Sequence, residues 1–219
     1  MNWDWVYVRQ ILPELLSGVA QTVLVTVVCA VIALIGGLVL AVVTRVTGRA
    51  GRWMMRPLIE LARGIPILVL LYFGFYALPS LGVTLPAFFV GALVLGVVYA
   101  AYCSEVYRGG LEAIPAGIRD ACRALGLPAW VVWTRVLIPL VVRRSLPALT
   151  NYLLILYKQS ALLFAIGVPI LLARAQVIGY ESFRYLEPHT VAAVLYLLLN
   201  IPFVYLLRRF EVNRAHATV

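Results

Sequence analysis

Charge is what this chain of 219 residues has least of: 12% of its residues are Asp, Glu, Lys or Arg, against 63% hydrophobic, and the mean hydropathy is +0.98. That balance excludes a soluble monomer, which would have to expose far more apolar surface than water tolerates. Cysteine and histidine are nearly absent. Cys29, Cys103 and Cys122 show no C-x-x-C spacing, and His189 and His216 stand far apart. Neither a metal site nor a disulfide framework is supported, and small packing residues are the better reading of the three thiols. Also missing are a phosphate-binding G-x-x-x-x-G-K loop, a Ser-His-Asp arrangement and a carboxylate pair in a catalytic setting. The chain is therefore expected not to be an enzyme by itself and to bind no cofactor. The net charge of +9 raises nucleic acid as a partner, but the basic residues are scattered among segments between apolar runs. No single stripe interleaves them with stacking aromatics, so nucleic acid is excluded and membrane lipids, through their anionic headgroups, account for them better.

What is present is a series of long apolar runs. Residues 15–43 carry no charge at all, and a bilayer crossing needs only about 20 residues. Further runs at 57–78, 86–107, 145–173 and 189–207 predict an all-α integral membrane protein with five transmembrane helices in a single transmembrane domain over 1–219. The first run is too long for a signal-peptide core, has no basic stretch before it and no small-residue cleavage site followed by a soluble body, so it is expected to be retained. Segment 130–142, interrupted by Arg135 and Pro139, is too short to cross and is expected as an interfacial or tilted helix. Orientation follows from Arg in the short connections. One side has Arg9, Arg174 and Arg184. The other has Arg45, Arg49, Arg52, Arg56, Arg108, Arg119, Arg123, Arg135, Arg143, Arg144, Arg208, Arg209 and Arg214, a ratio of three to thirteen. The N-terminus is expected outside and the C-terminus in the cytoplasm.

Within this apolar chain residues 114–139 form a polar island on the Arg-rich side. Pro115 suits the first turn of a helix, Gly126 its end, and Pro128 forbids continuation. Ile118, Ala121, Cys122 and Leu125 fall at i, i+3, i+4 and i+7, with Arg119, Asp120 and Arg123 on the opposite side. A helix of three turns is unstable alone, so its apolar face is expected to pack while its charged face is offered to a partner.

The run Asp120-Ala121-Cys122-Arg123-Ala124-Leu125-Gly126, followed by Ile138-Pro139-Leu140, resembles the EAA loop of importer-type ABC transporter permeases. Asp120 stands where the family has Glu and Cys122 where it has a second Ala. The rest of the chain is similar, in order, to permeases for polar amino acids and related solutes. Glu60, Arg63, Gly64 and Pro66 resemble their E-x-x-R-G-x-P segment. Ala101, Tyr102, Glu105, Arg108, Gly109 and Gly110 resemble A-Y-x-x-E-x-x-R-G-G, and Leu146, Pro147, Asn151, Lys158 and Ser160 resemble the region after the loop. Asn2-Trp3-Asp4, the segment 9–13 and Phe183 to Pro188 look most like ectoine and hydroxyectoine permeases.

The resemblance implies a MetI-like permease fold whose loop carries a cytoplasmic coupling helix, with Arg119, Asp120, Ala121, Arg123 and Gly126 shaping the contact to an ATPase. It implies a second, identical or similar permease subunit, two ATP-binding subunits that carry ATP and Mg2+, and an extracytoplasmic solute-binding protein, all at the bacterial inner membrane. The function implied is alternating-access import of a polar amino acid or small zwitterion such as ectoine. A passive channel or membrane assembly subunit without an ATPase is the second reading, and the capped, two-faced helix of the island distinguishes the two.

Charges inside the spans are the remaining candidates. Glu60 with Arg63 and Glu105 with Arg108 are each three apart, so each pair is expected to bond on one helix face and lower its burial cost. Lys158 falls near mid-membrane, with Gln159 and Ser160 beside it. Tyr99 and Tyr102 present an aromatic face expected to meet it. Two readings of Lys158 stand: a substrate contact on a polar path, or a bond to helix carbonyls at a subunit contact. Gln159, where relatives often have an acid, argues against a cationic substrate.

Overall fold

The computed structural model describes residues 3–215, with side chains described as far as Tyr205. Asn2 and His216 lie outside the described residues, and so do the side chains of Arg208, Arg209 and Arg214. Helix α1 spans Trp5–Val46 and is capped by Asp4, whose carboxylate accepts from the N–H groups of Val6 at 2.9 Å and Tyr7 at 3.2 Å. Its faces are sorted by size. Cys29, Ala33, Gly37 and Ala41, four residues apart, are buried, whereas Val27, Val31, Ile35, Val39 and Val43 point outward. Lipid tails are as apolar as leucine, so small residues that allow close approach mark a helix interface in a membrane and bulky ones do not. The buried face of α1 lies on α4, Ala87–Glu112, in the most extensive helix contact of the molecule. A Cβ added to Gly37 would sit 2.6 Å from the Cβ of Cys103, and one on Gly96 2.7 Å from Ile32.

The apolar run at 57–78 is not one helix. It is divided between α2, Gly48–Gly64, and α3, Ile67–Ser80, which meet at 103°. The cause is Pro66: it lacks an N–H and forces its predecessor out of helical geometry, so Ile65 (ψ 134°) and Pro66 (ψ 133°) are extended.

After α4 come α5, Ala116–Ala124, and α6, Ala129–Val131, which continues through a π-helical stretch, Val132–Leu137, into α7, Ile138–Gln159, and a 3-10 segment, Ser160–Ile166. Residues 129–139 therefore open the fourth membrane helix, where the sequence pattern had placed a loop with an interfacial helix. Pro139 has no N–H for the Arg135 carbonyl, and the local shift of register, with Ile138 N–H donating to Trp133, absorbs that loss. The same run stops at Ile166, short of the expected 173. Gly167 takes φ 80°, its N–H and that of Val168 bond back to Phe164 and Leu163, and α8, Leu171–Ser182, begins separately. Buried Thr22 of α1 accepts the Leu171 N–H at 3.0 Å. The last helix, α9, is Leu186–Ala215. Among the described residues, four helical runs are long and apolar enough to cross a membrane, and α2 with α3 makes up to a fifth. Among the described residues the fold is all-helical, and α1, α4 and α9 run through the first, third and fifth apolar stretches.

Candidate functional site

The short helix α5 stands apart from the membrane helices and is held at both ends by its punctuation. Pro115 is its N-cap. At the other end Gly126 adopts φ 63°, its N–H reaches the Arg123 carbonyl at 3.0 Å, and the Leu127 N–H reaches Cys122 at 3.1 Å. That pair of bonds is a Schellman stop, which needs a left-handed residue. The inward face carries Ile114, Ile118 and Cys122: the first two join the apolar core that includes Leu137 and Trp133, and Cys122 is buried at a cavity lined also by those two. Ala121 and Leu125, expected on that face, are exposed instead, Leu125 to 74%. The helix leans on the entry turns of α7, which the sequence reading had not made helical, so its contact stripe runs at i, i+4, i+8. The outward surface consequently mixes Leu125 and Ala121 with Asp120 and Arg123, an exposed pair 3.5 Å apart. Arg119 turns partly inward to a cavity of about 490 Å³ shared with Arg45 and Cys122. One side chain missed from sequence fixes the mount: Arg144 of α7 donates to the Ala113 carbonyl, between α4 and α5, at 2.5 Å.

Inside the spans, α7 presents an uncovered stripe. Asn151, Ile155 and Lys158 recur at i, i+4 and i+7, and all three are exposed. On one flank, Lys158 borders a groove of about 450 Å³ against α9 with Tyr196, Leu197 and Asn200. On the other flank, Tyr152 stacks on Tyr102 at 5.3 Å between centroids. Tyr102 also carries Arg63 over its ring at 5.1 Å, and its hydroxyl donates to the Arg63 carbonyl at 3.3 Å. Tyr99 is 5.7 Å from Tyr102 but fully in the core. The aromatic pair therefore does not meet Lys158 as expected, because Tyr152, its partner on α7, lies six positions and about 120° round the helix from Lys158. Ser160 is removed as well. It is completely buried, donates to Tyr157 and accepts from Thr26 at 3.2 Å, tying the start of the 3-10 segment to α7 and α1. Gln159 is half-buried beside it.

Both intrahelical ion pairs form. Arg63 is 3.5 Å from Glu60, and Arg108 is 2.6 Å from Glu105 and 2.9 Å from Glu112. At the end where α1 begins, charges cross between helices. Arg184 bonds Asp4 at 3.3 Å and Glu187, and lies over the Tyr7 ring at 4.2 Å, while Tyr7 donates to Ser182 at 2.7 Å. The N–H of Tyr7, with further help from Arg184 and the Val6 N–H, holds the Asp4 carboxyl below its ordinary value.

Among the described residues no group of three or more His, Cys, Asp or Glu side chains is arranged to hold a metal. A family profile described as "Binding-protein-dependent transport system inner membrane component" matches residues 33–214. The chain is 37% identical to a probable amino-acid ABC transporter permease of Sinorhizobium fredii (strain NBRC 101917 / NGR234) over 97% of its own length and 92% of the relative's. It is 33% identical to the glutamine transport system permease protein of Escherichia coli (strain K12), over 96% and 97%. A crystal structure of an amino acid ABC transporter with histidines superposes with a TM-score of 0.86 at 30% identity, covering 97% of this chain and all of that one. The chain belongs to the inner-membrane component family of binding-protein-dependent transport systems, the multi-pass permease part of ABC importers, in which ATP hydrolysis resides in a separate subunit.

Proposed function

We propose that this permease imports a polar amino acid or small zwitterion along a path lined by the exposed stripe of α7, with Lys158 receiving the solute carboxylate and Asn151 its polar groups. The observation that carries the reading is the stripe itself: Asn151 and Lys158 sit uncovered on a membrane-crossing helix. Lys158 lies eight residues before the Ile166 end of the 129–166 run and not at its middle. A cation left against lipid costs roughly 2.5–3.5 kcal/mol at a helix centre and less toward an end, so such a face still belongs on a polar path or against a partner. Tyr102 and Tyr152, with Arg63, flank the path, whereas Ser160 and Tyr99 hold the fold. Relatives named for glutamine, and a neighbour solved with histidines, favour an amino-acid solute, and ectoine belongs to the same zwitterionic class.

The Arg asymmetry supports an external N-terminus and a cytoplasmic C-terminus. In that orientation α5 faces the cytoplasm. Its outward Leu125, Ala121, Asp120 and Arg123 dock in a groove of the ATPase, with two permease and two ATP-binding subunits per transporter and a solute-binding protein outside. Lys158→Met tests the path. Uptake should fall to background while the purified complex keeps its melting temperature. A large loss of stability, with transport falling only in proportion to folded protein, would assign Lys158 to a subunit contact instead.

A further inference from the structure

The cavity of about 490 Å³ behind α5 is walled by the ends of α1 and α4 and by the opening turns of the fourth membrane helix. Its charged lining is Arg45, Arg119 and Arg123, and among the described residues no acid borders it. The neighbouring cavity between α1, α2 and α4 differs, because its arginines are answered by Glu105 and Glu112, both bonded to Arg108. Arg45 borders both cavities yet pairs with neither glutamate, and Arg119 has no ion-pair partner among the described residues. Arg123 reaches Asp120 at 3.5 Å on the outer surface. Arg119 is the unexpected member: the sequence pattern put it outward with Asp120 and Arg123, but it is half-buried next to the cavity that buried Cys122 also lines. A guanidinium on a surface helix is solvated at least as well facing water, and turning it toward two others adds like-charge repulsion. The fold itself gains nothing from the convergence.

A carboxylate entering from outside would gain at least two guanidinium partners at once, beside the apolar walls of Leu111, Leu127 and Trp133, which strengthen such a bond by lowering the local dielectric. Its source is read from α5. One edge of that helix is fixed, by Ile118 in the core and by Arg144 on the Ala113 carbonyl just before it, whereas the edge carrying Arg119, Cys122 and Arg123 overhangs the cavity. A helix of nine residues has little stability of its own, so whatever fills the space behind it fixes its tilt. The cavity is also continuous with the outward face of α5, because Arg123 belongs to both: it meets Asp120 on the outside and borders the cavity on the inside. We propose, on the reading that α5 docks the ATP-binding subunit, that this subunit inserts an acidic side chain into the cavity between Arg45 and Arg119. It thereby grips α5 from behind as well as from its outward face, and a shift of the ATPase moves the helix in both directions.

The test uses the full transporter in mild detergent, with association of permease and ATP-binding subunit measured over a range of salt. Arg45→Gln/Arg119→Gln should weaken association roughly tenfold and flatten its salt dependence, while the melting temperature of the permease stays at or above wild type because a repulsion is removed. Arg49→Gln, which borders neither cavity, should leave association unchanged. A thiol-to-carboxyl crosslinker on Arg119→Cys should join the permease to an Asp or Glu of the ATP-binding subunit. Arg119→Glu should abolish association, and exchanging that mapped acid for Lys should restore it. Leu125→Asp, on the outward face, is the companion variant. If it leaves association intact, α5 does not dock the ATPase, and the docking reading falls together with the proposal. If it abolishes association while the double Gln variant binds with wild-type strength and salt dependence, the docking reading stands and the proposal is overturned. Crosslinking of Arg119→Cys to a second permease copy would overturn it too. So would retention of phosphatidylglycerol that the double Gln variant loses with ATPase association unchanged, which would give the cavity to a lipid headgroup.

Discussion

The two ends of the bundle treat charge in opposite ways. Where α1 begins, the basic side chains Arg174 and Arg184 each meet an acid from another element, Glu14 at 3.3 Å and Asp4 at 3.3 Å. These pairs fasten α1 to α8 and to the turn before α9. At the other end, Arg45, Arg49, Arg52 and Arg56 find no acidic partner among the described residues, and the α5 pair is spent within its own helix. Charge that is paired between helices holds the molecule together, whereas charge left unpaired is available to something outside it. Substitutions at the first end should therefore cost stability, and substitutions at the second should cost function.

The largest effect is expected at Gly126. Open space surrounds it, so a side chain there meets nothing, but φ 63° is strained for any L residue with a Cβ, by roughly 1–2 kcal/mol. Gly126→Val should unseat the end of α5 and abolish ATPase association or transport-stimulated hydrolysis, with membrane insertion intact. Pull-down and hydrolysis assays on one preparation check this, and normal coupling would remove α5 from the mechanism. Next, Arg144→Met takes away the donor to Ala113 and should lower coupling several-fold with little change in melting temperature. At the opposite end, Arg184→Ala should lower the melting temperature by a few degrees yet leave uptake per folded molecule unchanged. If it instead spared stability and lowered uptake, the contrast between the ends would fail.

The smallest effect is in pH. Asp4 titrates below its ordinary value of 3.8, chiefly because the Tyr7 N–H favours the carboxylate. A depressed folded value means the cap stabilises fully above that ordinary value and its contribution is lost as pH falls through the lowered one. Melting temperatures should converge for wild type and Asp4→Asn under strong acid and separate at neutral pH.

The crossings built on charge-free runs were legible from sequence, because apolar length alone decides them. Hydropathy does not register Ile65 and Pro66, whose backbone geometry divides the second run, and it overstates Arg135 and Pro139, which an exposed side chain and a π stretch accommodate. The punctuation of α5 was also readable, since Gly126 and Pro128 act locally. Its packed face was not, because Leu125 is exposed while the smaller Cys122 is buried. Polarity alone does not separate core from surface in this chain: Thr22 and Ser160 are fully buried, and Ile35 and Val39 face outward. For the same reason the spacing found Lys158, but only the fold placed Tyr152 beside Tyr102 and Asn200 beside Lys158.

The claim that the α7 stripe lines the path is tested most directly by cysteine accessibility. Cys29, Cys103 and Cys122 are all buried, which keeps the background low. With cysteine at 151, 155 or 158, a membrane-impermeant thiol reagent should label the assembled transporter in vesicles, and a transported amino acid should protect those positions. Cysteine at the buried positions 149 and 156 should stay unlabelled. If the three stripe positions were inert in the assembled transporter, or reacted without any protection by solute, α7 would turn a subunit or lipid face outward and Lys158 would not touch the cargo.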